Sequence, residues 1–145
     1  MSKLELLPTR RQTDSIRAAR NRLVQKGLLT WDNKKLRITP KGEKELQGLS
    51  VPGFKLPKPR RWDGKWRVLI FDIPEQRKGL RDKLRRTLRI IGFARLQDSV
   101  WIYPYDCEDF VTLLKADFKI GKDLLYMIVD TLEYDTPLRK KFDLK

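Results

Sequence analysis

The sequence lacks histidine altogether and contains a single cysteine, Cys107. Without an imidazole, the chain cannot perform Ser-His-Asp or Cys-His catalysis, bind zinc through histidine, or transfer phosphoryl groups through phosphohistidine. A lone cysteine cannot form a disulfide within the chain, which favours a reducing compartment. Any catalysis must therefore use carboxylates, lysine, tyrosine or a metal ion held by carboxylates.

Long apolar runs and glycine-rich loops are also missing from the sequence. No run approaches the roughly 20 apolar residues that a membrane-spanning helix needs. At the N-terminus, the leucines between residues 4 and 7 alternate with charge and stop at Pro8, which excludes a signal peptide. The eight glycines are scattered, so no phosphate-binding loop is visible. We therefore expect a cytoplasmic protein without a membrane partner.

Positive charge, by contrast, is abundant and unevenly distributed. The 145 residues include 33 Lys and Arg against 19 Asp and Glu, a formal net charge of +14. Residues 1–65 hold 17 of these basic and 6 of the acidic residues, so their net charge is +11, whereas residues 66–145 reach only +3. Such an excess favours a polyanionic partner, because neutralising phosphates releases condensed counterions. The polyanion signal therefore belongs chiefly to the first half.

The first half predicts a helix, a β-hairpin and a second helix. An amphipathic pattern with Thr13 as N-cap covers residues 13–26 and ends at Gly27, and two short alternating runs then flank residues 32–34. The second helix has Thr39 as N-cap and Pro40 in its first turn. This order is typical of the later part of a winged helix-turn-helix. Because only about a dozen residues precede the first helix, we expect either packing against another part of the protein or an N-terminal truncation.

The exposed arc of the first predicted helix carries side chains that suit a DNA major groove. Arg17 can reach guanine in bidentate fashion, Asn21 and Gln25 can pair with adenine, and Ala18 leaves room for a thymine methyl group. Arg22 lies on the same arc. Phosphate contacts on either side are predicted for Arg10, Arg11, Lys34, Lys35 and Arg37. The alternative is a solvated basic helix that touches no base.

The second half has the element order β-α-β-β-α-β. Apolar strands cover residues 66–71, 93–96, 99–103 and 124–129, and amphipathic helices follow the first and third of them. This order is the split βαβ pattern of a ferredoxin-like fold. The predicted fold class is thus α+β, with a partial winged helix-turn-helix over 1–49, a basic Pro-rich linker over 50–64, a ferredoxin-like domain over 65–135 and a charged tail over 136–145.

Two further sets of side chains in the second half are candidate sites. Asp72 follows the first strand, where a carboxylate can point out of the sheet edge. A lone carboxylate binds magnesium poorly, but a two-fold dimer would supply a pair. Alternatively, Asp72 accepts hydrogen bonds from the following turn. The second set could form a phosphate-binding ridge, or could pair with carboxylates at a dimer or solvated surface: Arg77, Arg81, Arg85 and Arg89.

The second half resembles the small CRISPR-associated nuclease family of spacer acquisition. The residues that carry the resemblance are 68–73, Arg77, Arg81, Leu84, Gly92 and 97–101. It implies a ferredoxin-like homodimer with a metal-binding aspartate at Asp72. With the preceding winged helix, residues 10–135 resemble the phenylacetate-pathway repressor (PaaX-like) family. That resemblance implies transcriptional repression, with the ferredoxin-like part as a dimerisation module rather than a catalytic one.

The leading hypothesis is a homodimeric, sequence-specific repressor that binds double-stranded DNA, needs no cofactor and is not an enzyme. A small-molecule effector is compatible with this hypothesis, although no residue pattern points to one. The competing hypothesis is a magnesium-dependent endonuclease, or a CRISPR-adaptation subunit, that pairs Asp72 across the dimer. A third is an architectural protein that uses the basic half without sequence preference.

Overall fold

The computed structural model describes residues 10–49, 58–118 and 123–144, and only the backbone of residues 10–15. In the first of these ranges, helix α1 (Arg10–Gln25) precedes a hairpin of strands β1 (Leu29–Asp32) and β2 (Lys35–Ile38), and helix α2 (Pro40–Leu49) follows. The predicted helix start at Thr13 is wrong, because α1 already begins at Arg10. Arginine and glutamine are good helix formers, so the helix extends past the predicted cap.

The end of α1 is determined by Gly27. This residue has a φ of 76°, the left-handed conformation that glycine adopts without a steric penalty. The amide of Gly27 donates to the carbonyl of Val24, and the amide of Leu28 donates to that of Leu23. These two bonds form a Schellman motif, which satisfies carbonyls that the helix leaves unpaired. The motif turns the chain directly into β1.

The hairpin and α2 are joined to the end of α1 by short polar contacts. Asn33 and Lys34, between the two strands, both have positive φ, as a type I′ turn requires. Thr39 Oγ1 accepts a hydrogen bond from the Gly42 amide and donates one to the Gly27 carbonyl, at 3.0 and 2.6 Å. Thr39 is therefore the N-cap of α2, as predicted. A Cβ on Gly42 would lie 2.1 Å from the Leu28 carbonyl oxygen, so only glycine allows this approach.

The second half forms a four-stranded antiparallel sheet in the order β4-β5-β3-β6. The strands and helices are β3 (Trp66–Phe71), α3 (Lys78–Ile91, after a 3₁₀ turn at Glu75–Arg77), β4 (Ala94–Gln97), β5 (Val100–Tyr103), α4 (Glu108–Phe118), β6 (Leu124–Val129) and α5 (Thr136–Lys141). This strand order and the β-α-β-β-α-β sequence are those of a ferredoxin-like fold. The predicted fold class is confirmed.

The sheet is covered on both faces, by different parts of the chain. Leu69, Trp101 and Leu124 pack with buried side chains of α3 and α4 on one face. Val68 and Ile102 lie in a second apolar cluster on the other face, to which Leu138 and Phe142 of the C-terminal region contribute. The residues after 135 are predicted as a charged tail, and the structure shows that they include the short helix α5.

The two halves share one apolar core. Leu23, Leu28 and Leu46 of the N-terminal half belong to the same cluster of buried residues as Val111 and Leu114 of α4. Helix α4 contacts α1, β2 and α2. The helix-hairpin-helix segment therefore obtains packing from the ferredoxin-like half, which holds α1 in a defined position. Within the described ranges, no helix is both long enough and apolar enough to cross a membrane.

Candidate nucleic-acid interface

Over residues 16–25, where side chains are described, one face of α1 is exposed, and we call it the outer face. Its side chains are those predicted from the sequence: Arg17, Ala18, Asn21, Arg22 and Gln25. The opposite face buries Ala19 and Leu23, which are 0% and 1% exposed. Because the buried face is held against the rest of the protein, the outer face points to solvent in a fixed orientation. Arg10 and Arg11 lie in the first turn of α1, but their side chains are outside the described residues.

Arg22 differs from its neighbours on the outer face, because its guanidinium binds Asp109 of α4. Arg22 Nε donates to Asp109 Oδ2 at 3.3 Å, and Nη2 forms a closer ion pair with Oδ1. This hydrogen bond with Asp109 raises the pKa of Arg22. Both side chains remain more than 40% exposed. The Arg22 side chain is therefore exposed to solvent, but its guanidinium already has an anionic partner within the protein.

The hairpin supplies the other predicted cations. Lys34 lies in the turn and Lys35 begins β2, and both are exposed. Arg37 is exposed as well, but its Nε lies 2.8 Å from Asp32 Oδ2 on the neighbouring strand. Trp31, which was not singled out from the sequence, is 56% exposed on the same hairpin. The hairpin therefore projects three cations and one aromatic ring from the N-terminal half.

The arginines of the 3₁₀ turn and of α3 are used largely inside the ferredoxin-like half. Arg77 Nη2 donates to the Phe118 carbonyl at 3.2 Å, and Arg81 Nη1 lies 3.1 Å from Glu75 Oε2. Arg89 stacks over the Trp101 ring at 5.6 Å. The remaining member of the predicted ridge is Arg85, which is half-buried and whose Nε has no hydrogen-bond partner in the described residues. Three of the four predicted phosphate ligands therefore have partners within the chain.

Asp72 lies immediately after β3 and is exposed. Its backbone amide donates to the carbonyl of Asp123 at 2.8 Å, so a second carboxylate residue stands beside it in the same chain. Asp123 was missed in the sequence because 51 residues separate the two positions. Among the residues that the structure describes, no group of three or more potential ligands could hold a metal ion.

Comparison with known proteins identifies the second half. The family model for the PaaX protein central Cas2-like domain matches residues 59–140. No curated protein matches the sequence. Among solved structures, the chain is similar to an uncharacterized protein, Rv0674 from Mycobacterium tuberculosis, with 20% identity and a TM-score of 0.42. That alignment covers 90% of this chain and 52% of the other, so the chain spans about half of that protein's length.

Proposed function

The chain belongs to the PaaX family, a family of transcriptional regulators, and on this premise we propose that it is a cytoplasmic repressor that binds double-stranded DNA as a homodimer. The single observation that carries the proposal is the outer face of α1. This face presents an arginine, an asparagine and a glutamine to solvent on a helix whose other side is buried. A helix of this kind fits the major groove, and these side chains match the hydrogen-bonding groups of guanine and adenine.

The hairpin supports a role for the N-terminal half in phosphate binding. Lys34 and Lys35 are exposed, and neither forms an ion pair within 4.0 Å in the described part of the chain. A lysine at a hairpin tip can contact a phosphate beside the groove that the helix occupies, as wings do in winged-helix proteins. Such contacts position the protein on the duplex without carrying sequence information.

The dimer is proposed on the basis of the ferredoxin-like half. Leu96 on β4 is 42% exposed, and β4 forms one edge of the sheet. Exposed apolar side chains on edge strands favour pairing with a second chain. A two-fold dimer would present two copies of α1, which would read two half-sites of a palindrome.

The experiment separates base contacts from phosphate contacts. We expect Arg17→Ala and Asn21→Ala to reduce the preference for a selected duplex over a random one by about 1–3 kcal/mol each. Lys34→Ala should weaken binding to both duplexes equally. Arg86→Ala, at an exposed position on α3, is the matched control and should change neither affinity. Equal losses on both duplexes for all three N-terminal variants would contradict the assignment of α1 as the reading helix.

A second candidate function is a magnesium-dependent endonuclease, and the observation that favours it is the proximity of Asp72 and Asp123. Two aspartates at the same end of the neighbouring strands β3 and β6 could provide the one or two carboxylates through which a protein usually binds magnesium. A magnesium titration with a labelled duplex and a labelled RNA strand tests it. Cleavage that disappears in Asp72→Asn would favour the nuclease, whereas tight binding without cleavage, unchanged in EDTA, would favour the repressor.

A further inference from the structure

A cavity of about 390 Å³ lies where the two halves of the chain meet. It is bounded by the inner side of α1, the hairpin, one face of α4 and strand β6. Most of its wall is apolar, and the side chains responsible are Ile16, Leu29, Leu36, Val111, Ala116 and Leu125. A volume of this size lies within the range of small-molecule sites, which are typically apolar with a few polar groups.

Two cations stand at one end of this cavity. Arg20, one turn after Ile16 on α1, and Lys115 on α4 both line it. Lys115 is half-buried, and its pKa is lowered, first by burial and then by the charge of Arg20. Two cations that repel each other in a partly dry site are destabilised until an anion lies between them. The arrangement therefore favours an anionic group at this end.

A buried carboxylate stands at the other end. Glu108 also lines the cavity and is only 8% exposed. Its Oε2 has no hydrogen-bond partner among the described residues, which is costly for a buried acceptor. Glu108 and Lys115 are separated by seven residues of α4, which corresponds to about 10 Å along the helix axis. The cavity thus has an acceptor at one end, cations at the other and apolar walls between.

We propose that this cavity binds a small apolar acid, with its anionic group at Arg20 and Lys115 and a hydrogen-bond donor at Glu108. The apolar body lies against Leu29, Leu36 and Val111. Such a ligand contacts α1 and the hairpin on one side and α4 on the other. Its binding therefore shifts the helix that we propose to read DNA, and this consequence rests on the proposed function.

The ligand site is tested without DNA by three related probes. They are 3-(4-hydroxyphenyl)propanoate, which has both end groups, 3-phenylpropanoate, which lacks the donor, and 3-phenylpropanamide, which lacks the charge. Amide chemical shifts of the chain are followed during titration with each probe. We expect the first probe to bind with a Kd on the order of 100 µM, the second about fivefold more weakly and the amide at least tenfold more weakly.

Two variants and a control assign the end groups. Lys115→Gln should weaken both acids about tenfold and leave the amide unchanged, whereas Glu108→Leu should abolish the preference for the hydroxyl group. Lys78→Gln, at an exposed position on α3, should have no effect. No saturable binding by the native chain, or equal binding of acid and amide, would overturn the proposal. The probe comparison on the native chain holds even where a variant fails to fold.

The coupling to DNA is measured separately. The DNA Kd should change at least threefold when the first probe is saturating, and the DNA should change the Kd of the probe by the same factor. If the probe binds in a Lys115-dependent manner but the DNA Kd is unchanged, the coupling to DNA is refuted while the ligand site is supported. Binding of the probe by a chain that does not bind DNA would instead refute the proposed function.

Discussion

Arginine side chains differ in their burial between the N-terminal half and the Cas2-like half of this protein. In the Cas2-like domain, Arg67 and Asp63 form an ion pair of 2.7 Å with the arginine side chain 8% exposed. On the hairpin, Arg37 and Asp32 form a pair of almost the same length, 2.8 Å, with the arginine side chain 54% exposed. Distance alone therefore does not distinguish the two pairs, whereas burial does.

Burial changes what an arginine can do. Arg67 lies within a central strand, where burial favours partners inside the protein, and its Nη1 also donates to the carbonyls of Lys65 and Pro104. An exposed arginine is already solvated, and its ion pair contributes little to stability. The cations of the N-terminal half thus remain available to an external anion. The half with the larger net positive charge is also the half in which the paired arginine is exposed.

The substitution with the largest expected effect on stability tests whether the two halves unfold as one unit despite this difference in burial. In Gly42→Ala, the new Cβ meets the Leu28 carbonyl, and we expect a loss of about 3 kcal/mol in unfolding free energy. Gly48→Ala, in the same helix with nothing within 4 Å, should instead stabilise by about 0.5–1 kcal/mol. Urea unfolding followed by circular dichroism and by tryptophan fluorescence should give coincident transitions. Separate transitions would contradict the claim that the two halves share one core and unfold as one unit.

A smaller loss of stability is expected from removing the buried arginine. Arg67→Met loses the pair with Asp63 and two carbonyl contacts, and we expect it to reduce the unfolding free energy by about 2–3 kcal/mol. Arg37→Met removes the exposed pair and should cost at most about 1 kcal/mol. Urea midpoints at constant m-value measure both. Similar losses of unfolding free energy in the two variants would contradict the claim that burial distinguishes the two ion pairs.

The contact between the halves predicts a modest gain in DNA binding. Asp109→Asn removes the anion that binds Arg22 at the edge of the outer face. We expect the DNA Kd to decrease about threefold at low salt, with a smaller gain at high salt. Asp98→Asn, an exposed aspartate between β4 and β5, controls for the loss of one negative charge. Equal gains from both variants would show that Arg22 is not specifically released.

The smallest effect is a dependence of stability on pH. The hydrogen bond from Arg67 lowers the pKa of Asp63, so this carboxylate stabilises the fold fully above its unfolded pKa of about 4. The contribution is lost as the pH falls through the lowered pKa, and it should stay below about 1 kcal/mol because Asp63 is about half exposed. Thermal unfolding between pH 5 and 3 should show a shallower acid limb in Asp63→Asn. The same slope in both proteins would contradict this assignment.

Local periodicity predicted most of the fold. The spacing of Leu84, Leu88 and Ile91 identified the buried side of α3, and the apolar run at residues 66–71 identified the central strand. Helix α5 was missed because it has only six residues and three of them are basic. Leu138 and Phe142, four residues apart and both in the second apolar cluster, were the signal that could have indicated it.

The sequence predicted the candidate site only where the exposure of a side chain follows from its position on a helix. The outer face of α1 could be read from the sequence, but the partner of Arg22 could not, since Asp109 lies 87 residues away. The same limit applies to Arg81 and Arg89, whose regular spacing indicates a ridge while their contacts depend on tertiary packing. Tertiary contacts decide which exposed cations remain available, and no local pattern encodes them.

The most direct test of the central claim compares two triple variants with equal loss of charge. One replaces Lys34, Lys35 and Arg37 of the hairpin by glutamine. The other makes the same replacement at Lys78, Arg86 and Lys141, which are exposed in the Cas2-like half of the chain. The measurement is DNA affinity as a function of salt. For the hairpin variant, we predict a loss of about 100-fold near 0.1 M salt and a slope of log K against log salt that is shallower by about 2–3. The other variant should stay within about threefold of the native chain, and equal losses from the two variants would contradict the claim that the N-terminal half binds DNA.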